Sequence, residues 1–357
     1  MSFHLEFKLI FSLNDLHKLH KFFITPHKEW DEFFPSSINY TPFTNKTEYF
    51  NQNVYNSYYI SFCLFICLNE TGAVRITYST SDKLKFLIET SLFDSCEHKS
   101  DEGGSLYVNS NNCECVQNRI CSYGSKSTNG GAYCCIMVSS SPAFKNYLIN
   151  STITLSGYET KNGRSNVYME YGKINMKSIN ISYSKVRNKN YYYASCTSNS
   201  SITHSTFSNN TSTSDSEYNS EASHQGSEAS PSNQFEFKID YCNYIKNECY
   251  YLIFGYDVNI YINNCSFNKN GIKKIYFSPY THNEMQIKGC YFDIQDPAAQ
   301  RPAAIIERVD SIYPTNQHLS SGLCLVNEKL NNEETVEGFN RNNKFRKLVY
   351  AVSLVPK

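Results

Sequence analysis

The sequence predicts an all-β chain wound as a parallel β-helix, and three observations carry that prediction. A small residue or cysteine recurs two places before an aromatic and five before an asparagine: Ser205/Phe207/Asn210, Cys242/Tyr244/Asn247 and Cys265/Phe267/Asn270, with Cys290/Phe292 continuing the first two positions. Successive cysteines in this series are 23 and 25 residues apart, too short a repeat to bury an apolar face alone, so each copy must stack on the next. The flanking stretches Ile179-Asn180-Ile181-Ser182-Tyr183, Ile260-Tyr261-Ile262-Asn263 and Met285-Gln286-Ile287-Lys288 alternate bulky and polar residues at period two, which is strand periodicity.

Taken in order, residues 1–57 read as an N-terminal cap region. Leu13, Leu16, Leu19 and Phe23 recur at helical spacing behind polar starters, so a short amphipathic helix is expected to cover the open first coil. The apolar run Tyr58–Leu68 opens the helix proper, which extends over 58–296. Its coils centre on Phe65, Phe93, Tyr123, Tyr158, Tyr183, Phe207, Tyr244, Phe267 and Phe292, about nine coils. Two steps are long. The one before Tyr158 holds the turn-like Ser139-Ser140-Ser141-Pro142, and the one before Tyr244 holds a Ser/Asn/Glu-rich segment, 211–234, expected to be a disordered insert. Paired glycines at Gly103-Gly104 and Gly130-Gly131, with a weaker Gly72-Ala73, suit tight corners where another backbone passes close. Residues 297–357 lose the repeat and read as a C-terminal cap or tail.

Equivalent residues of adjacent coils lie about 4.8 Å apart, so like stacks on like. Cys242, Cys265 and Cys290 are expected to form an internal ladder of small hydrophobes beside an aromatic ladder of Tyr244, Phe267 and Phe292. Asn210, Asn247 and Asn270 are expected at strand ends, tolerating left-handed backbone angles and bonding amide to amide between coils. The same register sets Asp240, Asn263 and Lys288 in one column, and His204, Tyr241, Asn264 and Gly289 in the next.

The paired glycines and the Phe207-x-x-Asn210, Tyr244-x-x-Asn247 and Phe267-x-x-Asn270 units resemble the Gly-Gly-Ala-Ile and Phe-x-x-Asn repeats of polymorphic outer-membrane proteins. The chain looks especially similar to large trichomonad families of right-handed β-helix surface proteins in the pectin-lyase-like superfamily, and Cys115–Gly124 resembles one of their recurring coils. The resemblance covers about Tyr58 to Asp296. It implies a right-handed winding and a cell-surface setting, and says little about activity.

Thirty-three basic residues balance thirty-three acidic ones, which argues against nucleic acid or an anionic membrane as a partner. Tyr58–Leu68 is the most apolar run and falls short of the roughly 20 residues of a spanning helix, so no transmembrane segment is expected. The N-terminal stretch interrupts its apolar residues with Glu6 and Lys8 and makes a poor signal-peptide core. The Asn-x-Ser/Thr sites are no more frequent than this composition produces by chance. Fourteen cysteines lack the Cys-x-x-Cys pairs of a zinc site; buried free thiols are the expectation, with no metal ligand and no cofactor assigned.

No catalytic residue is assigned either. The carboxylate strings of polygalacturonase-like enzymes are missing from the sequence, and the Asp240 column supplies one carboxylate where glycoside hydrolysis uses two. Outward tyrosines are the remaining signal. Tyr192 and Tyr250 are expected to stack on a ligand, because neighbouring strand residues face opposite sides. The expectation is a non-catalytic interaction or adhesion module with a glycan or protein surface as partner. The alternative is a divergent or degenerate polysaccharide lyase or glycoside hydrolase.

Overall fold

The computed structural model describes residues 29–35, 40–44, 46, 50–52, 57–78, 83–157, 165–187, 190–195, 197, 199–212, 221–226, 235–256, 258–277, 285–293, 299–300, 303–305 and 309. The chain divides into two units, Met1–Leu323 and Cys324–Lys357, the second of which lies outside the described residues.

The first unit is a parallel β-helix. Three long parallel sheets, here sheets I, II and III, contain 11, 9 and 12 strands. One coil illustrates all of them. Phe235–Asp240 runs in sheet I, Asn243–Ile245 in sheet II and Glu248–Tyr256 in sheet III, after which Val258–Asn263 re-enters sheet I one rung on. The nine strands of sheet II match the nine coils read from the aromatics. Sheet I gains a rung at each end, Tyr40–Thr44 pairing with Ser57–Ser61 and Ala303–Ile305 pairing with Met285–Lys288. Strand pairing therefore runs past both expected boundaries, 58 and 296, because a coil edge offers a hydrogen-bond ladder to whatever backbone follows.

Single-residue corners make the coils possible. Between sheets I and II the left-handed residues are Phe62, Thr90, Arg119, Asn150, Ser178, His204, Tyr241, Asn264 and Gly289; between II and III they include Ser95, Gly124, Tyr183, Asn209, Lys246 and Lys269. Each turns the chain, and the next residue points inward. At the first corner those inward residues are Cys63, Ser91, Ile120, Ser151, Ile179, Ser205, Cys242, Cys265 and Cys290; the carbonyls of the first eight bond the strand above, and that of Cys290 accepts the Val309 amide. The Ser91 hydroxyl accepts the Cys63 amide N–H at 3.1 Å, and Ser151 and Ser205 treat Ile120 and Ile179 alike at 3.0 and 3.3 Å. Cys265 and Cys290 do the same with sulfur, accepting the amides of Cys242 and Cys265 at 3.3 and 3.4 Å. The cysteine ladder is thus a hydrogen-bonding device as well as apolar packing.

At the second corner the asparagines form a continuous buried chain. Asn210 Nδ2 donates to Asn247 Oδ1 at 3.1 Å and Asn247 Nδ2 to Asn270 Oδ1 at 3.0 Å. Asn247 Nδ2 also reaches the Phe207 carbonyl at 2.9 Å, and its Oδ1 accepts the Asn210 amide at 3.2 Å. The expected left-handed backbone belongs to the residue before each of them, at Asn209, Lys246 and Lys269. These asparagines are selected for the ladder, since an inward polar group must be fully bonded when buried.

Sheet II contributes the aromatic ladder. Phe207, Tyr244, Phe267 and Phe292 stack at 5.0, 5.2 and 4.9 Å with planes within 17°, and Phe65 stacks on Phe93 at 4.9 Å. Between those runs the column holds Ser122, Ile153 and Ile181. Tyr123 stands one place later and Tyr183 at the corner, and Tyr158 lies outside the described residues. The column demands an inward apolar or small side chain, which isoleucine and serine meet as well as an aromatic.

The glycine pairs stand where another backbone passes close, as expected, and they stack on one another. Gly103 and Gly104 donate to the carbonyls of Gly130 and Gly131, and a Cβ on Gly104 would sit 2.1 Å from the Lys126 carbonyl oxygen. Within the segment 211–234, expected as a disordered insert, Thr211–Ser212 and Glu221–Gly226 are sheet III strands, the latter paired with both Asn190–Ser195 and Glu248–Tyr256. Its polar composition does not prevent this, since the bonds there are made by backbone. The rest of the segment is outside the described residues.

The helix expected over Leu13–Phe23 also lies outside the described residues. The described helix, α1 (Glu29–Phe33), sits on the side of the stack, where Trp30 and Phe34 bury against Leu87 and Val116 on the outer face of sheet I. Those two are neighbours on adjacent rungs, an outward apolar pair that needs cover. Among the described residues no helix is long and apolar enough to cross a membrane.

Replacing Asn247 with alanine is expected to cost at least about 2 kcal/mol, because it removes from a dry interior the acceptor of the Asn210 amide and a donor to the Phe207 carbonyl. Asn270→Ala, at the half-buried end of the ladder, is expected to cost less. Thermal midpoints of the two variants check the order; equal shifts would contradict the ladder account.

Candidate functional site

The interior columns account for nine of the eleven positions named from sequence: Cys242, Cys265, Cys290, Tyr244, Phe267, Phe292, Asn210, Asn247 and Asn270 all stand in the ladders described above. The two tyrosines named for ligand stacking are placed differently. Tyr192 stands in register with Val167 in sheet III; its side chain lies outside the described residues. Tyr250 is half-buried and sets its ring against the fully buried Tyr251 at 4.7 Å and 63°. Alternation requires one ring of each pair to face outward but does not fix which, and pairing with the next coil decides the phase.

The most exposed aromatic surface lies at the corner between sheets I and II. Tyr241 is 46% exposed, and Tyr40, at 39%, is the other large exposed hydrophobic among the described residues. Tyr241 stacks on the exposed His204 ring, centroids 5.1 Å apart and planes 18° from parallel. Backbone bonds hold both rings in place: His204 and Tyr241 each donate an amide to the carbonyl of Asp240 and Asn263 respectively, at 3.0 Å. Their φ angles are 51° and 55°, a conformation costing an ordinary side chain roughly 1–2 kcal/mol. The corner requires the conformation, and asparagine or glycine meets it at lower cost, as Asn264 and Gly289 do in the next two coils.

Beside the rings, at the edge of sheet I, Asp240, Asn263 and Lys288 stand in one column. The Asn263 amide donates to Asp240 Oδ1 at 2.7 Å, which orients both groups outward beside the rings. Sequence register had aligned both columns, with His204 and Tyr241 adjacent in the second. What register did not supply was that both rings are exposed and stacked on one another.

A second polar cluster lies on the outer face of sheet III and at the loop preceding it. The Arg75 guanidinium lies 4.1 Å over the Tyr107 ring, pairs with Asp101 at 3.3 Å and donates to the Glu102 carbonyl at 3.0 Å. The Cys135 thiol donates to Glu102 at 3.2 Å, and the Tyr168 hydroxyl to Glu170 at 3.0 Å. His98 Nδ1 accepts the Asp101 amide at 2.9 Å, and burial, aided by Arg75, lowers its pKa. These groups bond one another, and the cluster ties a loop to the sheet.

No family model, no curated protein and no solved structure matches this chain.

Among the described residues no group of three or more His, Cys, Asp or Glu side chains is arranged to hold a metal ion. Cys121 is disulfide-bonded, a departure from the expectation of free thiols throughout; the other described cysteines are free, and all but Cys67 are buried. Burial pushes Cys96 and Cys134 up to about 12 from an ordinary 9.0. In the unfolded chain these thiols ionise near 9, while the folded protein keeps them protonated to about 12. Stability is therefore whole below pH 9 and falls through this window by about 1.4 kcal/mol per pH unit per thiol. Urea midpoints measured from pH 8 to 11 are expected to drop steadily above 9, and less steeply in Cys96→Ser; a flat profile would refute the assignment.

Proposed function

We propose that this chain is a non-catalytic β-helix repeat module that engages a partner through its outer surface, of the interaction or adhesion type. The observation that carries this reading is the His204–Tyr241 pair, two stacked aromatic rings held in solvent at a conformation that costs energy, where smaller residues serve the same corner in neighbouring coils. Exposed aromatics anchored by a rigid scaffold are the side chains that contribute most when an interface forms. The solenoid provides that rigidity, since every corner is fixed from both adjacent coils.

Membership of the pectin-lyase-like superfamily, with right-handed winding and a cell-surface location, belongs to the same proposal. Its support is the pairing of the three parallel sheets with the Gly-Gly and aromatic-x-x-Asn repeats. A second reading, a divergent polysaccharide lyase or glycoside hydrolase, is favoured by one feature, the Asp240 carboxylate beside the exposed ring.

Adhesion of the purified protein to fixed eukaryotic cells is expected to fall roughly fivefold, about 1 kcal/mol, in Tyr241→Ala, with the thermal midpoint unchanged or raised. Undiminished adhesion would remove the basis of the proposal. Incubation with pectins and other uronic-acid polymers, with and without calcium, separates the second reading: new reducing ends or unsaturated products would establish an enzyme.

A further inference from the structure

We infer that the seat of α1 on the outer face of sheet I is a docking site for a short acidic helical turn of a partner protein, carrying two aromatic rings four residues apart, and that α1 occupies the site in cis as its built-in competitor. The seat lies away from the Tyr241 corner, four rungs before the strand that leads into it. α1 has the character of a bound peptide. It spans five residues, and a helix that short does not hold its conformation in water, so the sheet supplies the order. The Phe34 amide closes the turn on the Trp30 carbonyl at 2.7 Å. This sets the two rings 4.9 Å apart and buries both, at 4% and 1% exposure. Trp30, the single tryptophan of the chain, also packs on Tyr40 at 4.4 Å and Tyr59 at 6.2 Å.

The seat is built without α1. Its floor, Leu87 and Val116, belongs to strands Leu84–Glu89 and Cys113–Asn118, which pair with each other and with Ser57–Ser61 on one side and Lys145–Ile149 on the other. Its rim is charged. Lys85 and Lys145 hold their ammonium groups 5.3 and 5.2 Å from the centre of the Phe34 ring, within cation–π reach. Glu114, its side chain 3% exposed, pairs with Lys145 at 3.0 Å and Lys83 at 3.4 Å. A permanent cover is served by apolar residues alone, since burying Lys85 and Glu114 costs desolvation that leucine or valine does not. A replaceable cover gains from the rim twice. The charges keep the vacated face compatible with water, and they choose what enters. The paired ammonium groups select an aromatic ring one turn after the tryptophan position. Three lysines against one glutamate attract an acidic segment and repel a basic one, and the α1 sequence EWDEF has three acidic residues and no basic one.

Fluorescence anisotropy with a labelled peptide of residues 28–36 tests the assignment on the full chain. The double variant Trp30→Ala/Phe34→Ala, which empties the seat, is expected to bind the peptide at least about tenfold more tightly than the wild-type chain, whose own α1 competes at high effective concentration. Adding Lys145→Glu to the double variant is expected to weaken binding about fivefold, and Phe34→Ala in the peptide about tenfold. Absent binding to the double variant, equal binding to both chains, or indifference to Lys145→Glu would each overturn the inference. Circular dichroism and thermal melting of the double variant are expected to show a folded β-helix. A chain that cannot fold without the two rings would make α1 a permanent part of the core and overturn the inference as well. Sedimentation of the wild-type chain is expected to show a monomer; a dimer that the double variant loses would give the seat to a second copy and overturn its assignment to a separate partner.

Discussion

The structure depends on one constraint: at two corners of every coil a single residue must adopt a left-handed backbone, and the residue after it must then point inward. Turning the chain within one residue exposes an amide to the interior, where water cannot reach it. The next coil supplies the acceptor, from a serine hydroxyl, a cysteine sulfur or an asparagine carbonyl. A coil is therefore completed only by its neighbour. This couples the rungs in series and makes exact register a condition of folding, since a shift of one residue would put these acceptors on the outside.

From that constraint follows a division of labour among residue positions. Inward positions after each corner accept only small or hydrogen-bonding side chains. Mid-strand inward positions of sheet II accept apolar ones, which is why Phe207, Tyr244, Phe267 and Phe292 stack there while Ile153 and Ile181 serve equally well elsewhere. The left-handed corner residues face outward and carry little packing duty. Variation there is tolerated, and that freedom allows a tyrosine and a histidine to form a surface feature at Tyr241 and His204. The geometric rigidity of the interior is what holds those rings in one arrangement.

The repeat itself was legible because the constraint leaves the same residue types at the same offset in each coil. Cys242, Cys265 and Cys290 and the asparagines that follow could be placed by counting. Counting failed where the column tolerates alternatives: Tyr123 and Tyr183 looked like its members, yet Ser122 and Ile181 occupy it. Within 211–234 the pairing of Glu221–Gly226 was not legible, because backbone pairing draws nothing from the polar side chains that set the segment's composition. The site was less legible. Tyr192 and Tyr250 were named from abundance and alternation; the Tyr250 ring is half-buried against the fully buried Tyr251, and the Tyr192 side chain lies outside the described residues.

The sequence alone determined that the chain is a stack of parallel coils, which residues form its internal ladders, and that Asp240, Asn263 and Lys288 share a column, because periodic burial writes itself into residue type. Only the tertiary structure decided which outward side chains reach solvent together. Exposure at a corner depends on what the neighbouring coils place on either side, and a ring in contact with water leaves no periodic mark in the chain.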